Sequence, residues 1–199
     1  MKKFTLSSMF LFFLSFMGVA QATTLYRLPL ASNPGYSAWF DHDSSADMLR
    51  YDGNTSVPYD GHKGTDFVAT TGTSVYAGAS GSLYYRYDGC YDKGNPLWSS
   101  SCGDGGYGNH VRIEHLDGHV TMYAHMEIGT PVWYQSILCG GYVGQFGASG
   151  YVTGPHLHFE MWPSATYGSF IDFFGGNYSN GGFSYWKNQN GGWPTTQCQ

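Results

Sequence analysis

The stretch that decides the fold reads HVRIEHLDGHVTMYAH and runs from residue 110 to residue 125. Apolar and polar residues alternate over 110–115 and again over 120–125, a period of two that is typical of a β-strand with one buried face. Between them, residues 116–118 read Leu-Asp-Gly, and Asp117 is interpreted as a turn residue. The stretch therefore predicts a β-hairpin.

The rest of the chain has the composition of a β protein with many turns. Of 199 residues, 29 are glycine, 18% are aromatic and only 12% are charged. No segment of a dozen residues has a clean apolar period of 3.6, so we expect an all-β fold. Five further strands are predicted, over 67–70, 74–77, 81–87, 142–146 and 156–161.

Residues 1–22 have the pattern of a secretory signal peptide. Lys2 and Lys3 precede an apolar run, and Ala20-Gln21-Ala22 is a small-x-small cleavage sequence. A membrane anchor is the alternative, but serine, threonine and glycine interrupt the apolar run. We therefore expect export, with no membrane association after cleavage.

We expect residues 23–199 to fold as a single domain. Its motif-bearing core covers about 60–174, and the tail over 175–199 is rich in glycine and aromatic residues. We interpret that tail as irregular chain, in preference to an aromatic wall beside a groove. The formal net charge of the chain is −5. After residue 22 the sequence contains seven basic and fourteen acidic residues. This balance argues against a nucleic-acid partner.

The four cysteines predict two disulfides, because an even number in an exported chain favours disulfides over free thiols. We favour Cys90 with Cys102, since residues 91–101 form a loop-like stretch. Cys139 with Cys198 would then pin the tail. Four cysteines on a structural zinc are disfavoured because the chain has no Cys-x-x-Cys pair.

Two separate segments predict a metal site. His62 and Asp66 lie four positions apart, and His156 and His158 occupy positions i and i+2 of a predicted strand, so that their side chains leave one face. His62, Asp66 and one histidine of the pair would provide three ligands and leave a fourth position open, as in a catalytic zinc site. The spacing leaves open which histidine is the ligand. Gly64 would allow a tight bend of the chain between His62 and Asp66.

Zinc suits this ligand set because it is a redox-inert Lewis acid that lowers the pKa of a bound water to about 7. Two histidines and an aspartate also suit non-haem iron, but the additional histidines favour hydrolysis. His125, at the end of the predicted hairpin, is placed to act on the water together with His156. The division of acid and base roles between these two histidines stays open.

The remaining histidines are interpreted as structural. We expect His110 and His119 on solvated strand faces and His115 at the end of the hairpin, and we give His42 no role. Glu160 shares the strand face of His158, where it lies either behind the ligands or on the rim.

Three motifs together resemble a known family. In order along the chain they are His62-x-x-x-Asp66, Tyr123-Ala124-His125 and His156-Leu157-His158. They resemble the three signatures of the lysostaphin-like, LytM-type zinc metallopeptidases of family M23, and the similarity covers roughly residues 61–161. Each motif alone is weak, but three in order with glycines between them are specific.

The resemblance implies a compact, antiparallel, two-sheet sandwich-like fold and one zinc per chain. By this resemblance, His62, Asp66 and His158 are the metal ligands, and His125 and His156 are catalytic. It also implies a tyrosine near the metal, for which there are two candidates, Tyr59 and Tyr123.

The function that the resemblance implies is hydrolysis of peptide bonds in peptidoglycan stem peptides or cross-bridges, through a zinc-activated water, by a secreted or periplasmic enzyme of the bacterial envelope. A catalytically inactive wall-binding or amidase-activator domain is one alternative, but its mark would be substitutions in the motifs, and there are none. An extracellular protease of glycine-rich proteins is another, with the same chemistry. The bond that is cleaved stays open.

Overall fold

The computed structural model describes residues 24–55, 58–133, 135–165, 168–189 and 195–198. The predicted signal peptide therefore lies outside the described residues. Within the described ranges, no helix is both long enough and apolar enough to cross a lipid bilayer.

The described residues form strands joined by turns and irregular segments, with a single short 3-10 helix at Asn180–Gly182. The strands are β1 (Gly35–Ala38), β2 (Thr65–Val68), β3 (Ser74–Tyr76), β4 (Gly81–Tyr87), β5 (Asn109–His115), β6 (Val120–Met126), β7 (Ser136–Ile137), β8 (Tyr142–Gln145) and β9 (Leu157–Trp162).

Seven of the strands form one antiparallel sheet in the order β1-β2-β9-β6-β5-β4-β7, and β3 pairs with β8 in a second antiparallel sheet. Val75 and Val143 of the small sheet share one buried hydrophobic cluster with Tyr123 and Phe159 of the large sheet. The expected all-β, antiparallel, two-sheet fold is confirmed. The two sheets are unequal in size.

Each of the seven predicted strands is present, with bounds shifted by at most two residues. β5 and β6 pair as the predicted hairpin, and Asp117 accepts a hydrogen bond from the amide of His119 (3.2 Å) inside the turn. β1 and β7 were not predicted. They are only four and two residues long, too short for an alternating pattern to stand out.

The two predicted disulfides are confirmed. Cys90 is bonded to Cys102 and Cys139 to Cys198, with Cα–Cα distances of 5.8 and 5.9 Å. The tail contributes to the core, because Trp186 is buried and stacks on Phe173 with ring centroids 4.6 Å apart.

The centre of the large sheet is formed by β6 and β9, in which every residue is buried. Their register places Ala124 opposite His158 and Met122 opposite Glu160, while Asp66 of β2 pairs with His158 from the other side. One face of these strands packs on the main core. The other face is partly covered by a second cluster that contains Val120, Met122, Ala124 and Trp162. Strands that are paired on both sides give the side chains of this second face a rigid support.

Candidate metal centre and active site

Three side chains converge on the second face of the large sheet, namely His62, Asp66 and His158. The distances are 2.7 Å from His158 Nδ1 to Asp66 Oδ1, 3.1 Å from His62 Nε2 to His158 Nδ1, and 3.2 Å from His62 Nε2 to Asp66 Oδ1. All three residues are buried. Over the described ranges, no other set of three histidine, cysteine or acidic side chains brings its ligand atoms together in this way.

His62 and His158 each have an oxygen acceptor at the ring nitrogen that points away from the cluster. His62 Nδ1 donates to the carbonyl oxygen of Trp39 (2.6 Å), and His158 Nε2 donates to Glu160 Oε1 (2.8 Å). In neutral rings the opposite nitrogens then hold lone pairs, and these two lone pairs face each other and the carboxylate of Asp66. Three converging electron-pair donors are stable only around a cation.

The size and chemistry of this donor set fit zinc. Two histidine nitrogens and one carboxylate oxygen are ligands that zinc accepts. Their separations of 2.7 to 3.2 Å approach the edge of roughly 3.3 Å of a tetrahedron built on bonds of about 2.05 Å. Each imidazole also donates the N–H of its other ring nitrogen to an oxygen acceptor, which is the usual support of a metal-bound histidine.

The electrostatics of the cluster favour positive charge at its centre. Burial acts to lower the pKa of His158, but the hydrogen bonds and charges of Asp66 and Glu160 outweigh it and raise that pKa to about 10. Burial acts to raise the pKa of Asp66, yet its contacts with His158 and His62 hold that pKa well below the usual range. A proton thus takes the central position when no metal ion competes for it.

Gly64 lies at a bend between His62 and Asp66, as predicted, but the requirement for glycine has a different cause. Its φ is outside the left-handed region. A Cβ atom at this position would lie 2.5 Å from the carbonyl oxygen of Phe159 and 2.9 Å from Cγ of Glu160. Glycine is needed because the chain entering β2 passes directly against β9.

His125 reaches the site through a distortion of β6. Because Ala124 lies on the second face, strict alternation would turn His125 into the core beside Tyr123. Instead, His125 has a φ of 60° and the β5–β6 register shifts at this point. Such a bulge re-aims a side chain. The ring of His125 consequently lies 4.7 Å from that of His156 and 5.9 Å from that of His158.

The left-handed conformation of His125 has an energetic cost of about 1–3 kcal/mol for a residue other than glycine. The surrounding contacts must therefore hold this residue in place.

His156 directly precedes β9, and its Nε2 lies 3.7 Å from Asp66 Oδ2. Both His125 and His156 donate Nδ1 to a backbone carbonyl, that of Ser149 (2.8 Å) and that of Gly154 (2.9 Å) respectively. Nε2 is then the atom of each ring that can exchange a proton with a bound molecule. Burial lowers the pKa of His156, and burial with the charges of nearby histidines lowers that of His125 further. Both rings are neutral at pH 7.

An open cleft of about 800 Å³ lies over these five side chains. Its walls include Tyr59, Trp98 and Tyr151, together with Lys63 and Lys93. The cleft is therefore aromatic and amphipathic, with room for an extended peptide.

The two candidate tyrosines have different positions. Tyr59 lines the cleft and stacks on His62, with ring centroids 4.7 Å apart. Tyr123 is buried on the core face, where its hydroxyl accepts a hydrogen bond from the amide of Gly78 (2.8 Å). Tyr123 therefore cannot be the tyrosine near the metal site. Tyr107, which sequence reasoning missed, lines the cleft in a glycine-rich loop without a distinguishing pattern.

Glu160 lies behind the ligands, and its rim alternative is wrong because the residue is only 1% exposed. Besides the hydrogen bond from His158, its carboxylate accepts bonds from the hydroxyl of Tyr107 (2.8 Å) and from Nε1 of Trp162 (2.9 Å). These contacts fix the carboxylate and, through it, the orientation of His158.

The other histidines do not line the cleft. His42 pairs with Asp172 (2.9 Å). His115 lies at the end of the hairpin strand β5, as predicted, and is buried. The prediction of a solvated face for His110 is wrong. It is fully buried within β5, where it stacks with Tyr85 and Tyr87 of the neighbouring strand β4.

The combination of features defines a class of protein. An all-β scaffold aims two histidines and an aspartate at one point and places two neutral histidines beside them in an open cleft. This is the arrangement of a metal-dependent hydrolase. The model of peptidase family M23 matches residues 60–172, and the chain belongs to this family.

Sequence relatives with assigned names include two bacterial enzymes. Peptidoglycan DD-endopeptidase ShyC of Vibrio cholerae is 32% identical over 104 residues, which are 50% of this chain and 20% of that protein. DD-carboxypeptidase/endopeptidase Mpg of Neisseria meningitidis is 36% identical over 99 residues, or 50% of this chain and 19% of that protein. The chain therefore matches about a fifth of the length of these relatives.

Solved structures agree on the fold. Lysostaphin from Staphylococcus simulans superposes with a TM-score of 0.51 at 24% identity, over 76% of this chain and 52% of that one. A chain of the SpoIIIAH–SpoIIQ complex superposes with the same TM-score at 19% identity, over 74% of this chain and 96% of that one. At these identities the similarity concerns the fold alone.

Proposed function

We propose that this chain is a secreted or periplasmic zinc endopeptidase that hydrolyses peptide bonds in the stem peptides or cross-bridges of peptidoglycan. The observation that carries the proposal is the convergence of His62, Asp66 and His158 beside the neutral rings of His125 and His156. Membership of peptidase family M23 and relatives named as peptidoglycan endopeptidases support it.

His62, Asp66 and His158 would hold one zinc ion. When bound, zinc supplies Lewis acidity and brings the pKa of water to about 7, so that a nucleophile is available at neutral pH. The protein contributes a ligand set whose second imidazole nitrogens are fixed by Trp39 and Glu160.

His125 and His156 would move the protons of the reaction. Because burial keeps both rings neutral, Nε2 of either can accept a proton from the attacking water. The same atom can then return the proton to the leaving amine. Asp66 Oδ2, 3.7 Å from Nε2 of His156, would stabilise that ring in its protonated form.

The cleft suits an extended peptide of either candidate type. A cross-link from D-alanine to a diamino acid and a glycine bridge both fit between its aromatic walls. The names of the two enzymes ShyC and Mpg favour the first substrate.

Export is part of the proposal. The N-terminal pattern over residues 1–22 is that of a cleaved signal peptide, which leaves residues 23–199 as a single domain. Two disulfides support an oxidising compartment such as the periplasm or the exterior.

Digestion of purified peptidoglycans with different cross-links tests this function. The protein is incubated with each polymer, and new amino termini are identified by mass spectrometry. We expect release of peptides from at least one polymer, loss of release in His158→Ala, and full release in His119→Ala, a histidine outside the cleft. Cleavage of glycine-rich proteins without any release from peptidoglycan would support the extracellular protease instead, and no cleavage of either would support an inactive domain.

A further inference from the structure

We propose that Asn109 is a positioning residue that holds His125 in its left-handed conformation and couples it to the disulfide-closed loop over residues 90–102. This role rests on the proposed function, because it assumes that His125 takes part in catalysis. Asn109 itself does not line the cleft.

The side chain of Asn109 is fully buried and uses all of its hydrogen-bonding capacity. Oδ1 accepts bonds from the amides of Gly89 (2.9 Å) and Cys90 (2.7 Å). Nδ2 donates to the carbonyls of Cys90 (2.8 Å) and Met126 (3.0 Å). One amide group thus joins the first residue of the disulfide loop to the residue that follows His125.

Ser149 completes this connection. Its hydroxyl accepts a bond from the backbone amide of Asn109 (2.9 Å) and donates to the carbonyl of Met126 (2.7 Å). Its own carbonyl accepts the bond from Nδ1 of His125 (2.8 Å). On the other side, the amide of His125 donates to the carbonyl of Tyr107 (2.9 Å). The peptide group before His125, the ring of His125 and the peptide group after Met126 are therefore fixed.

These contacts explain how a strained residue stays in one conformation. Without the bulge, His125 would turn toward the core, so its position depends on the contacts that fix the backbone before it and at Met126 after it. Two donors meet the carbonyl of Met126, one from Asn109 and one from Ser149. Only an amide side chain at position 109 supplies two donors and two acceptor lone pairs together.

The same network reaches the wall of the cleft. Cys90 is held by Asn109 through both its amide and its carbonyl. Further along the loop, the amide of Lys93 donates to the carbonyl of Ala148 (2.9 Å), and Trp98, which lines the cleft, donates to the carbonyl of Gly150 (3.1 Å). The cleft wall and His125 are thus connected through one hydrogen-bond network.

Asn109→Asp is the most direct test, because it keeps the size of the side chain and both acceptors but removes both donors. We expect kcat to fall about a hundredfold, as for a displaced catalytic group, with KM and zinc content unchanged. In a His125→Ala background the same substitution should change kcat by less than about twofold, because its effect passes through His125. An equal loss in both backgrounds would overturn the proposal, as would unchanged turnover of the single variant.

Amide hydrogen exchange in the metal-free protein gives a measurement that does not depend on activity. We expect Asn109→Asp to speed exchange at the amide of His125 while protection elsewhere in β6 is retained. Unchanged exchange would contradict the proposal even if the wild-type protein cleaved no peptidoglycan, so that the two hypotheses fail separately.

Two further variants keep the test decisive. Thr121→Val removes a buried hydroxyl from the core face of β6 and controls for general destabilisation. It should leave exchange at His125 unchanged. If Asn109→Asp does not fold, Ser149→Ala removes one of the two donors to Met126 and leaves the carbonyl that holds the ring of His125. It should also speed exchange at His125, and an unchanged rate would overturn the proposal.

Discussion

Glu160 supports His158 from the side opposite to the metal position, with Oε1 2.8 Å from Nε2 of the imidazole. The other nitrogen of the same ring lies 2.7 Å from Asp66. His158 is therefore held between two carboxylates, one of which is a candidate ligand and the other a buried support. The assignment of His158 as a metal ligand can therefore be tested by substituting Glu160, which is not itself a candidate ligand.

Glu160→Gln should weaken zinc binding. The substitution keeps the shape of the side chain but removes the negative charge that orients His158 and makes it a stronger ligand. We expect a loss of about 10- to 100-fold in zinc affinity, measured by competition with a chelator. Glu114→Gln, on the exposed side of β5, is the matched control and should leave the affinity unchanged. Equal affinities in all three proteins would mean that Glu160 does not support a ligand.

Gly64→Ala should destabilise the folded protein and disturb the metal site together. The added methyl group meets the backbone of β9 at 2.5 Å, so one of the two strands must move. We expect a loss of about 1–3 kcal/mol in the free energy of unfolding in urea, together with weaker zinc binding. Gly35→Ala is the control, because its Cβ would lie 3.8 Å from Val68, an ordinary contact. An equal loss of unfolding free energy in Gly64→Ala and Gly35→Ala would contradict the conclusion that the close contact with β9 requires glycine at position 64.

Two buried histidines away from the cleft should make stability depend on pH. Burial lowers the pKa values of His110 and His115 below the ordinary value of 6.5. In the unfolded chain these groups take up protons near pH 6.5, whereas in the folded protein they do so only at lower pH. Their contribution to stability is thus complete above pH 6.5 and is lost as the pH falls below it, by at most about 1.4 kcal/mol per pH unit for each histidine.

Comparison of variants isolates this contribution. Between pH 6.5 and pH 5, the free energy of unfolding of metal-free His115→Gln should fall less steeply than that of the wild type. Leu116→Gln, at a turn position that is 86% exposed and carries no titrating group, should follow the wild type. A steeper fall in His115→Gln would contradict the assignment of a neutral His115 in the core.

The two disulfides should contribute unequally to stability. They close loops with sequence separations of 12 and 59 residues. On the chain-entropy model, removing the shorter one in Cys90→Ser/Cys102→Ser costs about 3 kcal/mol and removing the longer one in Cys139→Ser/Cys198→Ser costs about 4 kcal/mol. Urea unfolding of the two double variants measures both values. A larger loss for the shorter loop would mean that contacts near Cys90, rather than loop closure, dominate its effect.

The parts of the fold that could be predicted are those with a strong local signal. The hairpin of β5 and β6 follows from alternation on both sides of Leu116-Asp117-Gly118, and the strand pattern around His158 follows from the same period of two. Burial of Trp186 could not be predicted, because its partners Phe159 and Phe173 lie elsewhere in the chain. Packing between distant segments leaves no local pattern.

Some residues of the candidate site could likewise be predicted from the sequence, and others could not. Motif spacing grouped His62 and Asp66 with one histidine of the pair, and the family resemblance selected His158, which the structure brings together with them. Motif spacing could not reveal the bulge that turns His125 toward the cleft, because simple alternation places that ring in the core. Nor could it reveal that Tyr107 binds Glu160, since the glycine-rich loop around Tyr107 has no regular period.

The most direct test of the central claim is the zinc content of purified variants, measured by elemental analysis after exposure to zinc and dialysis. We predict about one zinc per chain in the wild type and in His125→Ala and His156→Ala, and loss of zinc in His62→Ala, Asp66→Ala and His158→Ala. The two groups should differ in zinc although all five variants lose turnover. A wild-type protein without zinc, or zinc lost from His125→Ala or His156→Ala and retained in His158→Ala, would contradict the account.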